Sequence, residues 1–294
     1  MVLYKKMFCE TSDLQCTHVF GCSGVYSFNT SRQHISIVDT KEFGEALFID
    51  GEIQSTFKDE YIYHNTISEE IMSKLTKPEN DILIIGGAEG CLLRDFCKYD
   101  IVSSITQVDW DEELVNYFKQ KTNWNHGAYY DSRVKLVFED AFAWVEHEII
   151  REKKYDAIVV DLIDPDETYL SKFLNFLEQA KKLLTNEGIL VANGGTCNPW
   201  NKVWKICTES LDKCEEHHIT NIIPINVPSY HSPWILLYYG PIEIPFTSHK
   251  DFFVPWNVTH IRDYYKFQTK KIQEHKKIMD EKHCVIDITQ SYGC

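Results

Sequence analysis

Apolar and polar positions follow two rhythms along this chain. In residues 1–60 short apolar or β-branched runs occur at Thr17–Phe20, Gly24–Phe28, His34–Asp39, Ala46–Ile49 and Glu52–Thr56, punctuated by Gly, Asn, Ser and Asp. That rhythm predicts a small antiparallel sheet, with Asp50-Gly51 as a hairpin turn. Tyr61, Ile62, Ile67, Ile71, Met72 and Leu75 then recur at helical spacing. From Asp81 onward strands alternate with helices. The strands are predicted at Ile82–Ile85, Ser104–Val108, Val134–Phe138, Ala157–Val160, Gly188–Ala192, Ile219–Ile225 and Trp234–Tyr239. The helices between them are predicted at Leu92–Lys98, Glu112–Lys121, Phe142–Arg151, Tyr169–Leu184 and Trp200–Cys214. Such alternation predicts an α/β fold with a mainly parallel, doubly wound sheet. Only Pro228, Ser229, Pro233 and their neighbours separate the last two strands, too few residues for a crossover, so those strands should run antiparallel. The expected organisation is an N-terminal β domain over 1–60, a Rossmann-like domain over 61–255, and a tail over 256–294 that is helical in part, around Tyr264–Lys282.

The stretch Asp81-Ile-Leu-Ile-Ile-Gly-Gly-Ala-Glu-Gly90 runs from a buried strand into a small-residue turn and a helix start. Gly86 and Gly87 allow close backbone approach at the carboxyl end of a strand, where open α/β sheets bind ligands. Glu89 would repel a phosphate, so the turn suits a ligand carrying positive charge.

Three more acids stand at strand ends: Asp109, Asp140 and Asp161. A carboxylate about twenty residues after a glycine turn commonly accepts from both hydroxyls of a ribose, which Asp109 fits. An acid after the third strand, Asp140, is placed to accept from an adenine amino group. Either residue alone reads equally well as a helix N-cap. The ordered set favours a bound adenosine moiety. Asp161 and Asp164 flank two apolar residues before Pro165, a stiff turn in which two carboxylates can divide roles between holding charge and taking a proton.

Composition narrows the partners. A net charge of −14 argues against nucleic acid and would attract a small cation, while on charge alone it reads first as keeping the protein soluble. No apolar run approaches the roughly 18 residues of a membrane span, and residues 1–8 lack a signal-peptide pattern, so a cytoplasmic protein with no membrane partner is expected. The ten cysteines then read as free thiols. Cys9, Cys16 and Cys22 are spaced too loosely for the usual zinc pattern, and no metal site is expected.

These residues resemble a family. The block Asp50-Gly-Glu-Ile-Gln-Ser-Thr-Phe-Lys-Asp-Glu-Tyr-Ile-Tyr-His64 is similar to the Asp-Gly-x-x-Gln-x-x-x-x-Asp-Glu-x-x-Tyr-His/Gln block of the polyamine aminopropyltransferases, the spermidine/spermine synthase family. Gly86-Gly-Ala-Glu-Gly90, Asp109-Trp-Asp111, Glu139-Asp140-Ala141 and Asp161-Leu-Ile-Asp-Pro165 extend the likeness across roughly residues 31–240. The resemblance implies a methyltransferase-like seven-stranded sheet behind a small N-terminal β domain. It also implies transfer of an aminopropyl group from decarboxylated S-adenosylmethionine, a co-substrate rather than a tightly bound cofactor, to a small cationic polyamine. Methylthioadenosine leaves. Carried over, Asp161 takes the proton, Tyr63 orients Asp161 or the amine, and Asp164 and Tyr230 hold the polyamine. Gln54, His64, Gly86, Gly87, Glu89, Asp109 and Asp140 line the donor site. Family members self-associate as homodimers or homotetramers.

Glu89 in the glycine turn and Asp161-Leu-Ile-Asp164 resemble the thermospermine synthase and archaeal-bacterial triamine branch, which favours spermidine over putrescine as acceptor. The usual Gly-Pro loop after Pro165 is missing, and Asn193 stands where relatives often have Gln. Two other readings compete: a methyltransferase using intact S-adenosylmethionine, whose carboxylate Glu89 would oppose, and a non-catalytic regulatory homologue.

Overall fold

The computed structural model describes residues 6–11, 17–164, 168–196 and 218–241. The first sheet is antiparallel and five-stranded, in the order β1 (Lys6–Thr11), β2 (Thr17–Asn29), β3 (His34–Thr40), β4 (Gly44–Ile49) and β5 (Glu52–Thr56). The two predicted strands at 17–20 and 24–28 are one strand. A register shift between Cys22 and Gly24 absorbs an extra residue as a bulge, so pairing with β3 continues. β1 goes beyond the apolar pattern; it is held by continuous pairing with β2 and by Phe8 packing on Phe48, ring centres 4.5 Å apart. Asp50 and Gly51 sit at φ 51° and 92°, the left-handed pair that a two-residue hairpin turn requires.

Helix α1 (Glu60–Met72) leads into the second sheet. Its strands are β6 (Asn80–Gly86), β7 (Val102–Asp109), β8 (Val134–Phe138), β9 (Tyr155–Asp161), β10 (Leu184–Thr196), β11 (His218–Ile225) and β12 (Trp234–Pro241). Between them lie α2 (Cys91–Phe96), α3 (Glu112–Lys121), α4 (Ala141–Ile150) and α5 (Leu170–Lys181). The seven strands take the order β11-β12-β10-β9-β6-β7-β8. β6 to β10 run parallel, and β12 pairs antiparallel with both β10 and β11, as the short connection before it predicts. α5 ends before the predicted Leu184, because Leu184 already begins β10. The helix predicted at Trp200–Cys214 and the tail from 256 lie outside the described residues.

Alternate residues of the central strands enter two different cores, which is the signature of a sheet covered on both faces. Ile82, Ile84, Val159 and Val191 pack with α1, α2 and α3, and Ile35, Ile37 and Leu47 of the first sheet join that layer. Leu83, Ile85, Ile158, Val160 and Leu190 pack with Trp144 and Val145 of α4 and with Phe173 and Phe176 of α5. Phe20, Val38, Ala46 and Phe48 form a smaller core on the other face of the first sheet. From β6 the chain steps outward to β7 and β8, then returns to β9 on the opposite side. That reversal opens a crevice at the carboxyl ends of β6 and β9.

Candidate active site

The crevice holds a cavity of about 270 Å³. Gln54, Tyr63, His64, Gly86, Gly87, Glu89, Asp109, Asp140, Asp161, Asp164 and Tyr230 all line it. The structure thus gathers every proposed catalytic, donor-binding and polyamine-binding residue, from strands or their ends, one helix and one turn. Leu47, Ile49, Ile53, Trp110, Phe142 and Trp234 supply apolar wall.

Gly86 has φ 88°, and a Cβ there would lie 2.0 Å from the carbonyl oxygen of Asp161. Its lack of a side chain therefore lets β6 lie against the end of β9, a contact within the protein rather than with a ligand. The carboxamide of Gln107, buried in β7, donates to the carbonyls of Gly86 and Gly87 at 2.8 and 2.7 Å and fixes the turn. Sequence reasoning missed Gln107; the available signal was a polar residue inside a buried strand.

The Tyr63 hydroxyl donates to Asp161 Oδ1 at 2.7 Å. Burial and the nearby Glu89 charge push the Asp161 carboxyl up to about 6, while His64 and the Tyr63 hydrogen bond pull the other way. Burial and Asp161 push the Tyr63 phenol well above its ordinary value. Tyr63 therefore stays a donor, and Asp161 sits near the point of proton exchange at neutral pH.

On the next turn Asp164 Oδ1 accepts from Asn193 Nδ2 at 2.7 Å. The same amide nitrogen donates to the Leu162 carbonyl at 3.1 Å, and Asn193 Oδ1 accepts from Trp234 Nε1 at 2.8 Å. Asn193 thus braces the segment after β9 against β12. Tyr230 donates from its hydroxyl to the Gln54 carbonyl at 2.8 Å and presents its ring beside Trp234, centres 4.8 Å apart. The turn carrying Tyr230, Pro228–Tyr230, is anchored by buried Asp59, which accepts from the Ser229 amide at 2.8 Å and its hydroxyl at 3.0 Å. Asp59 is the first residue of the Asp59-Glu60 pair in the sequence block, and its work is to hold one wall.

Asp109 does not cap α3. Asp111 does, accepting from the Leu114 amide at 3.0 Å, whereas Asp109 Oδ1 accepts from the Asp111 amide at 2.8 Å. Burial, then the charges of Asp111, Glu89 and Asp161, push Asp109 up to about 7 despite that backbone hydrogen bond. Asp140 does cap its helix: Oδ1 accepts from the amides of Phe142 and Ala143 at 3.0 and 3.1 Å, and the residue also faces the cavity.

His64 is buried, with Nδ1 2.8 Å from Glu60 Oε2 and Nε2 2.8 Å from Glu89 Oε1. Donor atoms of His64, Glu89 and Asp161 lie within 4.8 Å of one another. With a carboxylate on each nitrogen, however, the imidazole has no lone pair to offer an ion. Of the three candidate cysteines, Cys9 is exposed and Cys22 is buried, so they do not share a face, and Cys16 lies outside the described residues.

The cavity's chemistry is that of a cation site with a polar, acidic floor and an aromatic wall. Comparison with known proteins gives it a family. The family described as the spermine/spermidine synthase domain matches residues 60–242, and the spermidine synthase tetramerisation domain matches 23–56. The chain belongs to the spermine/spermidine synthase family. Among curated members, the polyamine aminopropyltransferase of Saccharolobus solfataricus is 37% identical over 166 residues, 55% of this chain and 54% of that one. That of Sulfolobus acidocaldarius is 33% identical over 217 residues, 72% and 70% of the two chains. The chain therefore spans about half the length of the first relative. The crystal structure of spermidine synthase from Thermotoga maritima superimposes with a TM-score of 0.71 at 19% identity, over 87% of this chain and 90% of its own. A spermidine synthase in complex with the transition-state analogue AdoDATO gives 0.71 at 18% identity, over 92% and 95%. These likenesses establish the spermidine synthase fold for this family member.

Proposed function

We propose that the chain is a polyamine aminopropyltransferase, taking its aminopropyl group from decarboxylated S-adenosylmethionine and favouring spermidine as acceptor. The observation that carries the reading is the Tyr63–Asp161 hydrogen bond at the floor of an acidic cavity, beside the Gly86-Gly87 turn. Family membership and the named relatives support it.

In this reading the lone pair of an acceptor amine attacks the methylene carbon next to the sulfonium. The carbon–sulfur bond breaks, its electrons pass to sulfur, and neutral methylthioadenosine leaves. A free polyamine amine has a pKa near ~10 and arrives protonated, so it must lose a proton before attack. Asp161 accepts that proton. Tyr63 occupies Oδ1, which leaves Oδ2, on the Gly87 side, for the amine. Asp164 and the Tyr230 ring hold the cationic chain, while Glu89 and Asp161 attract the donor's ammonium. Gln54 and His64 border that site. Asp109 takes the ribose and Asp140 the adenine. Alignment of nitrogen and carbon supplies much of the remaining acceleration.

The N-terminal sheet, in the 1–60 domain, is the proposed surface of self-association into a dimer or tetramer, which the tetramerisation-domain match supports. The domains at 61–255 and 256–294 complete the proposed division. Among the described residues no helix is long and apolar enough to cross a membrane. The proposed compartment is the cytoplasm.

The test is direct. The protein is mixed with decarboxylated S-adenosylmethionine and, in turn, putrescine, agmatine, spermidine or spermine, and products are identified by mass spectrometry. Methylthioadenosine with a tetraamine is expected from spermidine. Spermidine formed from putrescine alone would reverse the acceptor choice, and no methylthioadenosine with any acceptor would remove the enzymatic reading.

A further inference from the structure

Behind the cavity, six side chains form one line of alternating charge. Glu89 meets His64, His64 meets Glu60, Glu60 meets Arg94, Arg94 meets Asp95, and Asp95 meets Lys98 at the surface. The inner members are out of water: side-chain exposure is 2% for His64, 7% for Glu60 and 9% for both Arg94 and Glu89. Arg94 grips Glu60 with both terminal nitrogens, at 2.8 and 3.0 Å, and donates to the Trp124 carbonyl at 3.0 Å. Its remaining contacts to Asp95, at 2.9 and 3.1 Å, fix the guanidinium plane. Such a planar two-point grip leaves Glu60 little freedom to turn.

We propose that Glu60 and Arg94 are positioning residues that hold His64 as a permanent imidazolium, so that its Nε2–H pins Glu89 Oε1 and leaves Oε2 as the single oxygen offered to a cation in the cavity. The geometry leaves no other use for the two nitrogens, since each faces a carboxylate oxygen at 2.8 Å. Every ionisable group packed around His64 bears on its charge. Glu60 and Tyr63 come from α1, Glu89 from the glycine turn, Cys91 and Arg94 from α2, and Asp161 from the end of β9. Three are carboxyls that stabilise the cation. The Cys91 thiol is pushed up by burial and by Glu89 and Glu60, so it stays neutral. The Tyr63 phenol is likewise neutral. Arg94 lies beyond Glu60 and acts through it. Burial by itself would lower the His64 pKa; the hydrogen bonds to Glu60 and Glu89 overcome this and raise it to about 10.

Pinning by His64 also keeps one carboxylate of an acidic cavity fixed in shape. An unpinned Glu89 would rotate, and its charge would be spread over several orientations. Pinned, it is pre-organised for a cation of defined position, and less ordering is lost when ligand binds. The part of the inference that concerns donor binding rests on the aminopropyltransferase reading. The part that concerns the charge of His64 does not.

The experiment has two arms. In the first, histidine labelled at Cε1 with carbon-13 is followed by NMR from pH 5 to 9 in the ligand-free protein, with His64→Gln identifying the resonance. His64 is expected to stay charged throughout in the native protein and to titrate inside this window in Glu60→Gln. In the second arm, Glu60→Gln and Arg94→Lys are expected to raise KM for decarboxylated S-adenosylmethionine by about tenfold with kcat changed less than threefold, since one hydrogen bond to a charged group is at stake. Arg94→Lys keeps the charge but loses the fork, and serves in both arms should Glu60→Gln fail to fold. Native His64 titrating between pH 5 and 9, or variants whose folded forms leave its titration unmoved, would overturn the inference. An inactive protein whose His64 behaves as expected would overturn the proposed function instead and leave the first arm standing.

Discussion

At the scale of single residues, the Tyr63–Asp161 pair makes the sharpest prediction. Asp161 must be ionised to accept a proton, and its carboxyl sits at about 6. The acid limb of kcat/KM is therefore expected to rise through about pH 6. The Tyr63 hydrogen bond stabilises the ionised form, so Tyr63→Phe removes a lowering influence and shifts that limb upward by roughly one pH unit. Asp161→Asn is expected to cost at least about a hundredfold in kcat while donor binding, measured calorimetrically, is largely kept. A Tyr63→Phe limb that stays in place would separate Tyr63 from the proton acceptor. Asp161 and Tyr63 were legible in the sequence because they belong to blocks with fixed spacing. Gln107, Asn193 and Arg94 were not singled out as functional. Each works through another residue's backbone or side chain, and a partner tens of positions away leaves no local pattern. Asp59 and Glu60 were visible as a motif, but their work, one anchoring the Tyr230 turn and the other holding His64, appears only in three dimensions.

Among the elements, the contact between β6 and β9 decides where the site forms. β6 ends in Gly86, whose neighbour in the parallel ladder is Asp161. Any Cβ at Gly86 meets the Asp161 carbonyl at 2.0 Å, and the backbone sits at φ 88°, so Gly86→Ala carries both a clash and a strained conformation. Strain alone costs about 1–3 kcal/mol, and relief of the clash must move β9 and Asp161, the proposed proton acceptor. Gly87→Ala is milder: φ is 69° and the nearest atom, Asp161 Oδ2, is 3.4 Å away. Urea denaturation is expected to place Gly86→Ala at least about 2 kcal/mol below Gly87→Ala. Equal stability would mean that the two strands can part without cost. The central strands and the helices between them were readable because buried parallel strands are continuous apolar runs, and α3 matches its prediction at both ends, Glu112–Lys121. The bulged β2 and the edge strand β1 were less readable. Pairing register, which lies between strands rather than along one, creates both. The segment Trp124–Arg133 has a mechanical task. Arg133 donates to the carbonyls of Cys97, Tyr99 and Val102, which ties the end of α2 to the start of β7.

For the molecule as a whole, the cavity concentrates negative charge in a chain already at −14, and this links stability, pH and ligand. Asp161 and Asp109 have folded-state values of about 6 and about 7, above the ordinary 3.8. Their contribution to stability is fully present below about pH 4 and is lost progressively as pH rises from there through 6 and 7. His64, raised from 6.5 to about 10, contributes below 6.5 and loses that contribution as pH rises through 10. Glu60, lowered from 4.5 to about 2 by His64 and Arg94 against the opposing effect of burial, works in reverse. Its contribution is present above about 4.5 and is lost as pH falls toward 2. The ligand-free protein is therefore expected to melt highest at about pH 4.5, and lower on both sides. A cation in the cavity neutralises the carboxylates that cause the decline toward pH 8, but at pH 5 it meets Asp161 and Asp109 already protonated. Free spermidine is polycationic at both values, with its end amines titrating near ~10 and only the inner amine partly neutral at pH 8. The ligand itself therefore changes little, and in the direction that would weaken binding at pH 8. At matched ionic strength, a fixed concentration of spermidine should raise Tm more at pH 8 than at pH 5, and Asp161→Asn should narrow the difference. An equal or larger rise at pH 5 would show that spermidine is held away from the acidic floor, and Asp161 would then have no claim on its proton.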